Sequence, residues 1–371
     1  MADILFFASD LAETAQLRRI RSFASAGHKV RSVSMRKIAV QVDWPDIDLG
    51  QINNEQLGRR MRLALRGLGK LWANRRQLVQ ADLIIARNID MVLLALAACF
   101  MCRRRVPVVY ECLDIHGIFT SDRRRAGLAR WVERIALARV ALLVVSSPGF
   151  ISHYFGPVQH YSGRWLLLEN KVWFPNKALP RPRDVLGRNG PLVLGWVGAI
   201  RCQPSLELLC ALAGQMGNAL RIEIRGVVHD HALVDFAGQI AAHSNIQFTG
   251  SYAYPDGLES VYAVCDLVWA QDMWQRGANS DWLLPNRIYE ASWFGCPSIA
   301  VTGTQTAAKI AANGLGYVLP APTVDALHSL LDSLIRAEIV ELGQSILARP
   351  DSDFALDEAD INRVVAMGIQ R

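Results

Sequence analysis

Arg287 and Glu290 stand three residues apart in the stretch Leu284-Pro285-Asn286-Arg287-Ile288-Tyr289-Glu290, which runs on to Gly295-Cys296-Pro297. On a helix that spacing puts a guanidinium and a carboxylate on one face, one turn apart. Such a pair suits a ligand with a diphosphate at one end and ribose hydroxyls at the other. Guanidinium groups match phosphate oxygens geometrically, and a carboxylate accepts short, strong hydrogen bonds from hydroxyls. A second cation, Arg201, follows Gly195-Trp196-Val197-Gly198-Ala199-Ile200. Gly198 permits close backbone approach, and a helix starting near Pro204 adds the partial positive charge of its N-terminus. Asn279, Ser280 and Asp281 precede Trp282, small polar groups beside an aromatic face, which suits sugar recognition. With Asn286 they complete the candidate ligand-binding set. In the first half, Asp114 and His116 are candidates for a base that deprotonates an acceptor hydroxyl. Each group also has a plainer reading as a helix-surface charge, a cap or a turn.

The elements needed to position these groups are legible as alternating strands and helices. In the first half, strands are expected over 4–8, 28–35, 81–87, 106–111 and 141–146. Helices are expected over 12–26, 57–76, 91–104 and 124–138, and residues 43–56 read as a loop. The second half repeats the pattern, with strands over 192–197, 219–225, 246–249, 266–270, 298–301 and 316–319. Its helices are expected over 204–216, 231–243, 258–264, 286–294, 305–313 and 324–337, and 357–367 reads as a last amphipathic helix. Buried strands alternating with helices predict an α/β fold of two Rossmann-like parallel-sheet domains facing across a cleft. At 371 residues two domains are the natural expectation. The division is expected as 1–174, a proline-rich linker over 175–191, 192–350, and a C-terminal segment 351–371 able to return to the first domain. Ligands in such folds bind at the carboxyl ends of strands, where Gly198, Arg201, Asp114 and His116 fall.

The segment from Leu284 to Ala300 resembles the nucleotide-sugar motif of GT-B glycosyltransferases, in the family-4-like, exopolysaccharide-type branch. The resemblance implies a metal-independent hexosyltransferase that moves a sugar from a nucleoside-diphosphate-sugar, UDP favoured over GDP, to a carbohydrate acceptor, lipid-linked and destined for a surface glycan. It implies that Glu290 accepts hydrogen bonds from the ribose and that the loop through Gly198 and Arg201 holds the diphosphate. Where the family has a second cation in that loop this chain has Gln203, and Arg287 is expected to supply the charge. Where it has a second acid, eight residues before Glu290, this chain has Trp282. Either neighbouring Asp281 contacts the donor sugar or that contact is missing. An inverting enzyme would need Asp114 or His116 as base. A retaining one, which the resemblance implies, needs none, and His116 would orient the sugar. Two other readings remain at this stage: a nucleotide-sugar epimerase, and a weakly active scaffold for a partner synthase.

The formal net charge of +6 suits an anionic partner, and it is unevenly spread. Between Gly58 and Ala81 lie seven basic residues and no acid; Arg59, Arg62, Arg66 and Lys70, with Trp72, could meet an anionic membrane surface or an acceptor. The plainer reading is a solvated basic helix face. The longest apolar run, Met91 to Met101, is too short to cross a bilayer, so membrane contact is expected only as peripheral, at the inner face, for an otherwise cytoplasmic protein. No nucleic-acid module is recognisable. Seven cysteines in apolar surroundings read as a reduced set, with Cys99 and Cys102 as core packing. No metal site is expected: the histidines lack ligand spacing, and the pairs Asp46/Asp48 and Asp351/Asp353 read as solvated loop acids. No cofactor is expected beyond the nucleotide-sugar itself, which is a substrate.

Overall fold

The computed structural model describes every residue except 53–56, 122, 176–178, 186 and 371, and the side chains of 57–62, 64, 65 and 124 are likewise outside the described set. Two compact units emerge: residues 1–169 with 356–371, and residues 170–355.

The first unit is built on a seven-stranded sheet ordered β3-β2-β1-β4-β5-β6-β7. Its strands are β1 (Asp3–Ala8), β2 (Lys29–Arg36), β3 (Asp46–Gln51), β4 (Leu83–Arg87), β5 (Val108–Cys112), β6 (Leu142–Val145) and β7 (Trp165–Leu167). All neighbours pair parallel. Covered on both faces, β1, β4 and β5 are mainly apolar with almost no exposure, and β4 and β5 bury the charges of Arg87 and Glu111. The helix Glu358–Ile369 belongs to this unit. A side chain at its Gly368 would run into Leu83 and Val109, 2.9 and 3.0 Å away. Asn362 meets His28 Nε2 at 2.9 Å and anchors the same helix.

The second unit carries a six-stranded parallel sheet ordered β10-β9-β8-β11-β12-β13. Its strands are β8 (Leu192–Ile200), β9 (Leu220–Val228), β10 (Ile246–Phe248), β11 (Leu267–Trp269), β12 (Ser298–Val301) and β13 (Gly316–Leu319). Trp196 and Trp269 fill one face of its core with Leu206, Leu209 and Ile222. Burying each such side chain stabilises the fold by roughly 1.5–3 kcal/mol. In both sheets the strand order reverses beside the first strand of the unit, between β1 and β4 and between β8 and β11. That reversal opens a crevice at the carboxyl ends of the strands.

Several elements differ from the sequence expectation. Residues 46–51, expected as loop, form β3, because Asp46 is satisfied by Ser32 and Ser34 of β2 at 2.5 and 2.9 Å and by an ion pair with Arg36. Acids disfavour strands until a neighbouring strand supplies donors. The same contacts explain why Asp46 is not a solvated loop acid. The helix expected over 57–76 is two, Leu57–Ala73 and Arg75–Gln80, broken at Asn74. The helix expected over 231–243 shrinks to Phe236–Ala241, and Arg336–Leu347 is an additional helix. β7 was absent from the sequence reading.

The described residues of 175–191, expected as a linker, lie within the second unit. Arg181 fastens them: its guanidinium sits over the rings of Trp293 and Phe354 and donates to the carbonyls of Ile346 and Arg349 at 2.8 and 2.6 Å. Prolines exclude regular structure, but a cation shared by two rings and two carbonyls still orders a segment. Cys99 is buried and its thiol is pushed up to about 11 by that burial, in keeping with packing rather than redox chemistry.

Candidate active site

The long strand β8 ends in the loop that carries Arg201. Gly198 has φ +108° and faces Gly226 of β9 in register. A Cβ on Gly226 would stand 1.8 Å from the Gly198 carbonyl oxygen, whereas one on Gly198 would meet nothing within 4 Å. The two glycines therefore serve different ends: one admits the neighbouring backbone, and the other leaves open space beside the loop. The helix Gln203–Met216 follows at once, its N-terminus turned toward the same edge. Gln203 does not stand in for a cation. Its amide donates to Glu207 at 2.8 Å and accepts from the Val234 backbone N–H at 2.9 Å.

Arg201 lies against the turn beyond β11. Its guanidinium stacks 4.6 Å from the Trp274 ring, and Nη2 is 3.8 Å from Asp272 Oδ2. Asp272 is buried, and its Oδ1 accepts from Ser280 Oγ at 2.6 Å and from the Trp274 backbone N–H at 2.8 Å. Ser280, buried like Asn279, thus joins the Arg201 cluster through Asp272. Asp281 turns the other way: Oδ2 accepts from the Gly277 N–H at 2.8 Å, and Oδ1 lies 3.2 Å from Arg276 Nε.

The helix Asn286–Trp293 begins after Pro285 and ends where Gly295 takes φ +69°. A side chain at Gly295 would strike Leu347 and Val185, both at 2.8 Å, so the turn accepts only glycine. Asn286 is half-buried at the start of this helix. Arg287 donates to the Trp269 carbonyl at 3.3 Å, which places its guanidinium at the carboxyl end of β11. One turn on, Glu290 is buried and accepts from Tyr262 Oη at 2.9 Å. Burial, and then the adjacent Glu290 carboxylate, raises the Tyr262 hydroxyl well above its ordinary value, while Arg287 works the other way. Tyr262 therefore stays protonated and donates, and Glu290 is the acceptor. The structure brings Arg201 and Arg287 to the end of β11 and sets Glu290 beside Arg287. Sequence reading missed Asp272, Trp274 and Tyr262. Asp272 had a weak signal, an acid just past a short apolar strand, and Tyr262 had none.

Asp114 and His116 belong to the first unit, where β5 ends, and both are exposed. His116 caps the short helix Gly117–Thr120 by accepting the Ile118 N–H at Nδ1, 3.2 Å away. An Nδ1 that accepts leaves the proton on Nε2, so the ring offers a donor to a ligand while the cap persists. That favours orienting a hydroxyl over removing its proton. The strand beneath is braced by buried charge. Burial alone would raise the Glu111 carboxyl, but Arg87 and Arg19, at 3.0 and 2.6 Å, hold it below its ordinary value. Tyr110, Tyr154 and Gln159 all donate to buried Glu133.

Two doubly wound parallel sheets give this chain the GT-B fold. The fold of Anabaena HepE, determined with UDP and glucose, matches it with a TM-score of 0.71 over 99% of this chain and 98% of that one, at 17% identity. Sucrose-phosphate synthase of Thermosynechococcus elongatus matches with a TM-score of 0.76 over 100% and 97%, at 13% identity. No protein-family model matches the chain. Within the class, the chain belongs to the family of the succinoglycan biosynthesis protein ExoL of Rhizobium meliloti: the two are 31% identical over 373 residues, 98% of this chain and 93% of that protein.

Proposed function

We propose that the enzyme transfers a neutral hexose from a UDP-hexose to a carbohydrate acceptor during synthesis of an exported polysaccharide. The observation that carries this reading is the placing of Arg287 on the carbonyl that ends β11 and of Arg201 against Asp272 just past that strand, with Glu290 one turn beyond Arg287. The name of the ExoL relative, a succinoglycan biosynthesis protein, supports the polysaccharide. The UDP and glucose bound by HepE support the donor. In this reading Glu290 holds the ribose, and Arg201 and Arg287 meet the charge that gathers on the diphosphate as the glycosidic bond breaks. The two guanidinium groups take the place that a metal ion fills elsewhere, and His116 orients the acceptor. The test is a thermal-shift comparison followed by an assay of UDP release with EDTA present. UDP should raise the melting temperature by several degrees and GDP by less, since a ligand selective for the native state stabilises it. Release of UDP should persist in EDTA. No response to either nucleotide would end this reading.

We infer further that the acceptor is lipid-linked and that the first unit rests on an anionic membrane surface. Among the described residues no helix is long and apolar enough to cross a membrane, so the contact is peripheral. Support comes from a cavity of about 590 Å³ lined by Trp72, Arg75, Arg76, Val79, Met101 and Arg103. Trp72 is half exposed and Phe100, next to Met101, is 87% exposed. Basic groups around exposed aromatics suit an anionic interface. Arg66 and Lys70 are exposed on the helix that carries Trp72, whereas the side chains of Arg59 and Arg62 lie outside the described residues. Sedimentation with phosphatidylglycerol vesicles should carry the protein down, and phosphatidylcholine vesicles should not. Replacing Trp72 and Phe100 by Ser should cut the bound fraction by about tenfold, the order expected for two aromatic anchors. Equal recovery with both lipids would refute the membrane assignment.

A further inference from the structure

We propose that Asp272 reads a hydroxyl of the transferred sugar and, by its charge, selects a neutral hexose against a hexuronic acid. The inference rests on the donor site proposed above and adds the residue that recognises the sugar itself. The carboxylate that would do this work is not where the motif leads one to look. Trp282 occupies the position eight residues before Glu290, and Asp281 beside it is committed to its own loop through the Gly277 N–H and Arg276.

Asp272 differs on each count. It follows β11, at the point where the strand order reverses and beside the carbonyl that receives Arg287. Its backbone neighbour Gln271 is locked in place: the amide oxygen accepts the Val301 N–H at 3.0 Å and the Thr304 hydroxyl at 3.1 Å, and its nitrogen donates to the Asp272 carbonyl at 2.7 Å. Oδ1 is fixed by two short hydrogen bonds, from Ser280 Oγ and the Trp274 N–H. Oδ2 faces Arg201 at 3.8 Å, beyond hydrogen-bond reach, and so keeps acceptor capacity on the side of the diphosphate cation. A hydroxyl donated to Oδ2 would sit next to the guanidinium that holds the phosphates, which is where the first sugar of a nucleotide-sugar lies.

Trp274 completes the recognition surface. Trp274 is 41% exposed, and its ring carries Arg201 on one side. An indole beside a carboxylate offers a flat apolar face for the C–H groups of a pyranose and an acceptor for its hydroxyls. The carboxylate of a hexuronic acid, placed in the same pocket, would meet the like charge of Asp272 and be repelled.

The test compares the affinities of UDP, UDP-glucose, UDP-galactose and UDP-glucuronate for the wild-type enzyme, Asp272→Asn and Asp272→Ala by calorimetry. Asp272→Ala should weaken both neutral UDP-hexoses by about tenfold while leaving UDP within about twofold, the loss expected for one hydrogen bond to a charged acceptor. Asp272→Asn retains an oxygen for Ser280 and the Trp274 N–H, so it should keep the wild-type melting temperature. It should lose about threefold for the neutral sugars and bring UDP-glucuronate closer to them, because a neutral acceptor bonds less strongly and no longer repels. Should Asp272→Ala fold poorly, Asp272→Asn alone decides the matter. Unchanged UDP-hexose affinity, or equal weakening of UDP and UDP-hexose, would overturn the assignment to Asp272 with the donor site intact. A wild-type enzyme that does not bind UDP would instead remove the donor site beneath it.

Discussion

Arg201→Ala should lower kcat by about a hundred- to a thousandfold and change the KM for the nucleotide-sugar by no more than about tenfold, in line with losing one preorganised group that meets transition-state charge. The asymmetry follows from where the charge grows. The diphosphate is already anionic in the donor, but it takes on further negative charge as the sugar leaves. Arg201 is half-exposed and stacked on Trp274, so its removal opens no hole in the core. Asp272 keeps its bonds from Ser280 and the Trp274 N–H, so no buried carboxylate is stranded. The variant should therefore melt close to wild type. Steady-state kinetics with saturating acceptor would decide: wild-type kcat would show that the loop cation is an ordinary surface arginine.

Glu290→Ala should weaken UDP binding by about a hundredfold, because two ribose hydroxyls would each lose a charged acceptor, at about 1.5 kcal/mol or more apiece. It should also cost stability. Tyr262 Oη donates to the buried carboxylate, and truncation strands that hydroxyl at about 1–3 kcal/mol. Two more variants separate these effects. Glu290→Gln keeps an acceptor for Tyr262 and should retain most stability while losing about tenfold in UDP affinity, since a neutral acceptor is weaker. Tyr262→Phe removes the bond from Tyr262 Oη while the Glu290 side chain is unchanged. A Glu290→Gln enzyme that binds UDP like wild type would recast Glu290 as a brace for Tyr262.

These two residues show what kind of information a sequence holds. Arg287 and Glu290 are neighbours on one helix, so their spacing alone placed them on one face, and the structure keeps them there. The glycine turn at Gly295 and the strand after it were legible for the same reason, because φ > 0 and an apolar run are local signals. Asp46 shows the opposite case. Its segment carries two acids and a glycine, and the hydroxyls of Ser32 and Ser34 with the guanidinium of Arg36, all on another strand, make it β3. Arg181 is similar: nothing near it in the chain signals that its partners are Trp293, Ile346 and Arg349.

The chain's own residue pattern settled the two rounds of strand and helix, the loop after β8, and the pairing of a cation with an acid on one turn of helix. Those features depend on periods of two and 3.6 residues, which act over a few neighbours. Folding alone decided which loop Arg201 meets, that Asp272 and not Asp281 keeps an oxygen toward it, and that Tyr262 donates to Glu290. Those pairings depend on strand order, with β11 laid beside β8 and the helix ending in Tyr262 packed under the one bearing Glu290. Strand order is fixed by the packing of whole elements over long separations, and no short window of sequence records it.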